Sequence, residues 1–539
     1  MNEASGKDVV SSDSVTFLGE FSKKLATNTF FNFVGRFWSF LVTLLLTPYI
    51  LSRLSVTEFG VWVLMSVFVS SFNLLDLGLG SSFTKYVSQY HARGDDARIN
   101  LVLFSGLLFY SVFGLGLVGV GVLLEPFLFA VFNIETVPGV FLLVLVSFAL
   151  NNIALMLVST LKGLQRMDQS NAVEIWMSLP NLVGTVLFLE AGMGMFGLAI
   201  HSVVLALLTL VAAWRRLRRV HSGLSISWRF DPAFVREMFG YGAKLQVSRL
   251  GGLVCFQIDK LIISRFLGVA AVSFYEVASR LTLFMRALPL VMISALIPVT
   301  SELGARNDRA RILKAYLLAS KYVVMLSVAL VAFVILEADS LLRLWLGNGF
   351  EQSVILVQVL AIGYGVNVMG GAASQTGAGV GRPEFDMKGT ILLTILNPIL
   401  SLLLVREFGA AGAAAGTSLA LIVAAGYLLI LFHRDYLGDR ARMIIRDVHV
   451  RPWASGIIAS VSVWGFHLLL PPLVDIAQVR YLIPVKIAAD LAVFTVAYVA
   501  LLVALRHVTA IDWKNFTGLV SFGFDFVRHP LRERVKIYR

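Results

Sequence analysis

Apolar residues run along most of this chain in blocks of about twenty, divided by short polar connections. The blocks fall at roughly 27–51, 59–82, 99–123, 139–161, 171–190, 194–214, 238–264, 271–298, 312–336, 354–377, 388–406, 409–432, 453–470 and 484–506. Each is near the ~20 residues with which a helix crosses hydrocarbon. The pattern predicts an all-α polytopic membrane protein with about fourteen transmembrane helices. Connections are mostly under about 20 residues, too short for a soluble domain with an active site of its own.

The pattern also repeats. Ser88 to Ile99 (SQYHARGDDARI) returns about 213 residues downstream as Ser301 to Ile312 (SELGARNDRARI), and each copy joins the second and third helix of a block of six. At the same offset Arg36 meets Arg249, while Gly194 with Gly197 meets Gly409 with Gly412 after a drift of two. Six is even, so both blocks enter the membrane from one side. The repeats are expected to be parallel, related by an axis along the membrane normal, an architecture in which substrate is held between the halves. The expected organisation is a polar tail over 1–26, a first lobe over 27–219, an amphipathic basic linker over 220–237, a second lobe over 238–433, a connection with two appended helices over 434–506, and a basic tail over 507–539.

Composition agrees with a bilayer protein: 58% of the 539 residues are hydrophobic and 14% charged, with a mean hydropathy of +0.81. With a cytoplasmic N-terminus, inside segments hold about 32 of the 45 Lys and Arg and outside loops about 6, which places both termini inside. The net charge of +12 is then mostly a topology signal. The RRLRR run at 215–219 and the tail add attraction for anionic membrane lipids, and nucleic acid is not expected as a partner. One cysteine, Cys255, leaves no disulfide, CxxC motif or cysteine-based metal site.

Polar and ionic residues at bilayer depth are the chemistry to be explained, because one Arg, Lys or Asp at a helix centre costs roughly 2.5–3.5 kcal/mol on insertion scales. In the first helix Asn28, Asn32, Arg36, Thr43 and Thr47 share one face. The second carries Ser66, Ser70, Asn73 and Asp76, and Asp76 lies at about the depth of Arg36, ~12–14 Å from the inner end. The seventh, with Tyr241, Lys244, Arg249, Asp259 and Lys260, is expected to line a cavity. Glu276 and Arg280 have the i,i+4 order of an intrahelical pair, and Lys260 near the outer end is expected to snorkel. Arg36, Lys244, Arg249, Arg286 and Lys321 form a cationic set in the inner half of the membrane with Asp76 as the nearby acid. Such an excess suits phosphate oxygens. The small-residue run Gly409 to Ser418 is read as close helix packing.

The segment from Asn28 to Tyr90, with an Asn-bearing first helix followed by TPYIL, FGVW, LLDLGL and KYVSQY, resembles the Wzx-type polysaccharide flippases of the multidrug/oligosaccharidyl-lipid/polysaccharide superfamily. The resemblance covers roughly the first twelve helices. It implies two six-helix lobes around a V-shaped cavity, alternating access, residence in the bacterial inner membrane, no covalent chemistry on the substrate, and a glycan carried on undecaprenyl diphosphate. The diphosphate would meet Arg36, Arg249, Lys244, Arg286 and Lys321, with Asn32 and Asn73 in the cavity. Asp76 and Asp259 are the candidates for H⁺ or Na⁺ coupling or for counterions, and no cofactor is expected. Other polysaccharide-assembly proteins, a polymerase among them, are the expected protein partners. The alternatives are lipid-II flipping and small-molecule export. A membrane glycosyltransferase or polymerase is disfavoured, because outer loops such as 125–138 and 337–352 are short, with few acids and no His.

Overall fold

A computed structural model describes residues 38, 41–71, 79–135, 137–221, 223, 237, 256–294, 296–436, 446–469, 482–509 and 512. Among these the chain is helical, without a strand. Its helices are α1 (Leu41–Arg53), α2 (Val56–Ser71), α3 (Leu79–Ala92), α4 (Asp96–Val131), α5 (Val140–Gly163), α6 (Met167–Glu190) and α7 (Gly194–Val220). They continue with α8 (256–267), α9 (Val269–Ile293), α10 (Leu296–Ala305), α11 (Arg309–Leu336), α12 (Ala338–Leu346), α13 (Gln352–Met369), α14 (Gly371–Gly379), α15 (Glu384–Tyr436), α16 (Arg451–Leu469) and α17 (Ile483–Ala504). Ten helical runs among the described residues are long and apolar enough to cross a membrane, with α9–α10 and α13–α14 each forming one run.

The 53-residue α15 turns at Gly409 (φ 60°, ψ −142°), where the sequence separates two apolar blocks. A left-handed backbone there is accessible to glycine at little cost. Beyond the turn, a Cβ on Gly412 would overlap the Leu404 carbonyl, and one on Gly416 would meet the backbone of Ser401. The small residues of Gly409 to Ser418 are therefore close-packing positions, as their spacing predicts.

The repeated motif folds into the same turn twice. After α3, the amides of Gly94 and Asp95 donate to the carbonyls of His91 and Tyr90; after α10, those of Asn307 and Asp308 donate to Gly304 and Leu303. Gly94 (φ 66°) and Asn307 (φ 54°) both take the left-handed conformation that ends a helix in this way. Asp95 and Asp308 then cap α4 and α11, accepting from the amides of Arg98 (3.1 Å) and Arg311 (3.0 Å). The shared Asp, preceded by Gly94 in one copy and Asn307 in the other, thus encodes one stop-and-restart signal used in both blocks.

Contacts group the chain into two compact units. One comprises Met1–Val291, Gly349–Tyr364 and Asp386–Ala424 and the other Met292–Asn348, Gly365–Phe385 and Ala425–Arg539. The grouping cuts across the lobes drawn from sequence. In the first unit, Phe83, Val87, Ile99, Tyr110, Met156 and Leu161 lie at the centre of one buried cluster. In the second, Val324 and Val328 of α11 share a core with Ala459 and Val463 of α16 and Phe494 and Tyr498 of α17. The two appended helices are therefore packed on α11. Gly456 makes this possible, since a Cβ there would press on Val328.

Candidate functional site

Of the residues singled out from sequence, Asn32, Arg36, Asn73, Asp76, Lys244 and Arg249 lie outside the described residues, as does Cys255. Arg286 of α9 is half-buried, its guanidinium 5.2 Å from the centre of the Phe256 ring. Lys321 of α11 is paired, its Nζ 2.7 Å from Asp512 Oδ2. It is not part of an uncompensated cationic set. Asp512 belongs to the segment expected to be a basic tail, and through it the chain beyond α17 returns to α11.

Asp259 is the centre of a buried oxygen cluster in the first unit. Its carboxylate is 1% exposed and accepts from Tyr275 (2.7 Å), Ser401 (2.8 Å) and Thr417 (2.6 Å). Ser401 and Thr417 also approach Asn397 Oδ1 (2.9 and 3.3 Å) and the Ala413 carbonyl (3.3 and 3.2 Å). Each hydroxyl has one proton to donate and three acceptors within reach. The two hydroxyl protons are thus shared among more acceptors than they can serve at once, beside one buried carboxylate. Local sequence explains the convergence: Asn397 and Ser401 are one turn apart on α15, and the small residues before Thr417 let the two arms of α15 approach.

The next residue begins a separate ionic network. Lys260 is buried and bonded to Glu276 at 2.6 Å, with Gln257 at 2.9 Å, so it does not snorkel: a carboxylate one helix away holds it inside. Glu276 also takes Arg280 at 2.6 Å, the predicted intrahelical pair. Arg280 donates to the hydroxyl of Thr47 at 2.8 Å and lies 5.3 Å from the Phe59 ring centre. Buried charges survive at such depth because each is paired and hydrogen-bonded.

Those bonds belong to a seam between the two repeats. Ser273 donates to the Val56 carbonyl (2.5 Å) and Ser264 to the Phe132 carbonyl (2.7 Å), while Gly60 lies so close to Val269 that a Cβ would overlap its carbonyl. The end of α1, the start of α2 and the α4–α5 connection thus meet the end of α8 and the start of α9. Following the chain, all of these ends lie on the face opposite that from which α1 starts.

In the second unit, sequence reasoning missed a four-residue cluster. Lys486 is buried between Glu337 (2.7 Å) and Asp490 (2.8 Å), and Asp490 accepts from His467 (2.7 Å). The i,i+4 spacing of Lys486 and Asp490 in an apolar helix was the available signal. At the other end of the same helices Asp512 takes Lys321, Tyr322 (2.8 Å) and Thr509 (2.7 Å). Burial raises the Asp512 carboxyl, but the bonds from Lys321 and Thr509 outweigh it and hold the group well below its ordinary value.

A family model described as polysaccharide biosynthesis protein matches residues 25–304, just over half of the 539 residues. The chain is 25% identical over 330 residues to a probable low-salt glycan biosynthesis flippase, Agl15, of Haloferax volcanii, a match covering 60% of this chain and 66% of that protein. It is 29% identical over 175 residues to a probable multidrug resistance protein, NorM, of Bradyrhizobium diazoefficiens, covering 31% and 37%. The matched stretches span less than two thirds of either relative. The solved structure of a lipid II flippase, MurJ, in an inward closed conformation aligns over 88% of this chain and 99% of that one with a TM-score of 0.66 at 14% identity, a likeness of fold. With the family segment running from the first helix through both copies of the repeated motif's leading helices to α10, the chain belongs to the polysaccharide biosynthesis protein family.

Proposed function

We propose that the protein is a flippase moving an undecaprenyl-diphosphate-linked oligosaccharide from the cytoplasmic to the outer leaflet of the cell membrane by alternating access. The observation that carries this reading is the inter-repeat seam. Among the described residues, bonds of Arg280 to Thr47 and of Ser273 to Val56 join the repeats toward one face of the helices concerned, an arrangement that suits a transporter closed at that face. The glycan flippase among the relatives and the family assignment favour a lipid-linked glycan as cargo. Arg36, Arg249, Lys244 and Arg286 are the residues proposed to meet the diphosphate, with Asn32 and Asn73 beside the sugars. Lys321, being paired with Asp512, is withdrawn from that set.

Asp259 is proposed as the coupling site. An all-oxygen donor set with one carboxylate fits a single Na⁺ or a proton. Filling it removes one negative charge beside Lys260, whose network with Glu276 and Arg280 already holds two cations to one acid. The added positive potential reaches the seam through Arg280 and loosens it. Asp76 retains its two roles as alternatives, counterion to Arg36 or second coupling site. The multidrug resistance relative keeps small-molecule export as the rival reading.

The test is reconstitution in vesicles containing an undecaprenyl-diphosphate-linked oligosaccharide, scored by accessibility of the glycan to an added glycosidase. Protein-dependent translocation is expected, with Arg36→Ala and Arg249→Ala inactive yet normally inserted. Absence of translocation together with efflux of cationic dyes by the same vesicles would assign export instead.

A further inference from the structure

The second unit contains a cavity of about 520 Å³ that the transport reading does not use. It lies where three helices end together: the first turns of α11, the start of α16, and the residues just past α17. Its lining combines cations, Lys314, Lys321, Arg451 and Arg506, with apolar residues that include Leu317 and Leu318. Among the described residues that line it there is no carboxylate, and Asp512 neutralises Lys321. Leu318 is 43% exposed, so the apolar wall opens outward. Arg506 is held at the rim by backbone conformation: it ends α17 with φ 53°, its amide bonded to Val503 and that of His507 to Leu502.

We propose that this cavity binds the headgroup of an anionic phospholipid. Its phosphate would sit among Lys314, Arg451 and Arg506, and the first carbons of an acyl chain would lie along Leu317 and Leu318. Cation and apolar wall side by side at the ends of membrane-length helices match the layered chemistry of such a lipid, and clustered basic residues at that level attract anionic headgroups. A soluble phosphate would use the cations and leave the apolar wall bare. The proposal stands independently of the cargo and of the transport reading.

The test titrates the purified full-length protein in detergent with phosphatidylglycerol, phosphatidylcholine and sodium phosphate, read by native mass spectrometry. Phosphatidylglycerol is expected to bind in preference to phosphatidylcholine. Lys314→Gln should weaken it about fivefold and Arg451→Gln with Arg506→Asn about 25-fold, from the ~1 kcal/mol that each basic residue gains at an anionic surface. Asparagine is chosen at 506 because it tolerates the left-handed backbone. Leu318→Asn should weaken phosphatidylglycerol as well. Equal affinity for the two lipids, or unchanged affinity in Lys314→Gln, whose exposed side chain can be replaced without disturbing packing, would overturn the proposal. Displacement of phosphatidylglycerol by equimolar sodium phosphate would assign the site to a soluble anion and overturn it equally.

Discussion

Arg280 donates a 2.8 Å hydrogen bond to Thr47 across 233 residues of chain, and its other anchor is Glu276, which also neutralises Lys260. One carboxylate therefore supports a buried cation and a half-buried one and, through the latter, the seam between the repeats. Glu276→Gln would leave both cations uncompensated, a loss of about 3–5 kcal/mol for a broken buried pair. Denaturation of the purified protein should show this destabilisation, with partial recovery in Glu276→Gln combined with Lys260→Met. Wild-type stability of the single variant would remove Glu276 from that role.

Asp259→Asn should leave the fold intact, because the amide oxygen can still accept from Tyr275 and Thr417 while its NH2 donates to the Ser401 oxygen, yet translocation in vesicles should no longer respond to an imposed Na⁺ or H⁺ gradient. Thr417→Val should weaken the response without abolishing it. A gradient response in Asp259→Asn equal to that of the wild type would place coupling elsewhere, with Asp76 the next candidate.

Lys486 ties α17 to the junction of α11 and α12 by bonding Glu337 there and Asp490 on its own helix, both 1% exposed. Lys486→Met strands two buried carboxylates, and the melting temperature should fall steeply. Lys486→Met with Glu337→Gln and Asp490→Asn should regain most of the loss, since an apolar or neutral replacement of a whole buried ionic cluster is well tolerated. A single variant that melts like the wild type would mean that the shared core of Val328, Phe494 and Tyr498 alone holds these helices together.

How much of this was legible in the sequence depends on whether partners lay near one another in the chain. The helical segments, the doubled turn at Asp95 and Asp308, the Glu276–Arg280 pair and the break at Gly409 each arise from residues within a few turns of one another, and periodicity reveals them. Lys260 was read as snorkelling because its partner sits on the next helix, in a register that sequence does not give. Lys321 falls by sequence among the inner cations with Asp76 as the nearby acid, because its own acid, Asp512, is 191 residues away in a segment with no apolar pattern. The hydroxyl partners of Asp259 were hidden for the same reason: Ser401 and Thr417 lie 142 and 158 residues beyond it, among small residues whose evident role is packing.

The tail clamp at Asp512 has a defined pH dependence. Its carboxyl is lowered in the fold from an ordinary value of 3.8, so the stabilisation is fully present above that value and is lost as pH falls through the lower folded value. Limited proteolysis after α17 should therefore be unchanged between neutral pH and about pH 5, rising only in stronger acid, whereas Asp512→Asn should be cleaved readily at neutral pH. Release of the tail of the unaltered protein at about pH 6 would show that another group holds it.

The central claim is that the two repeats must separate at the seam for the lipid-linked glycan to cross, and a reversible lock tests it most directly. In a Cys255→Ser background, Val56→Cys with Ser273→Cys puts a thiol on each of the two residues that the bond from the Ser273 hydroxyl to the Val56 backbone carbonyl brings together. Translocation of the undecaprenyl-diphosphate-linked oligosaccharide in vesicles should stop when the pair is joined by a reducible thiol cross-linker and return when the link is reduced, with the single-cysteine proteins unaffected. Undiminished translocation by fully cross-linked protein would contradict the account.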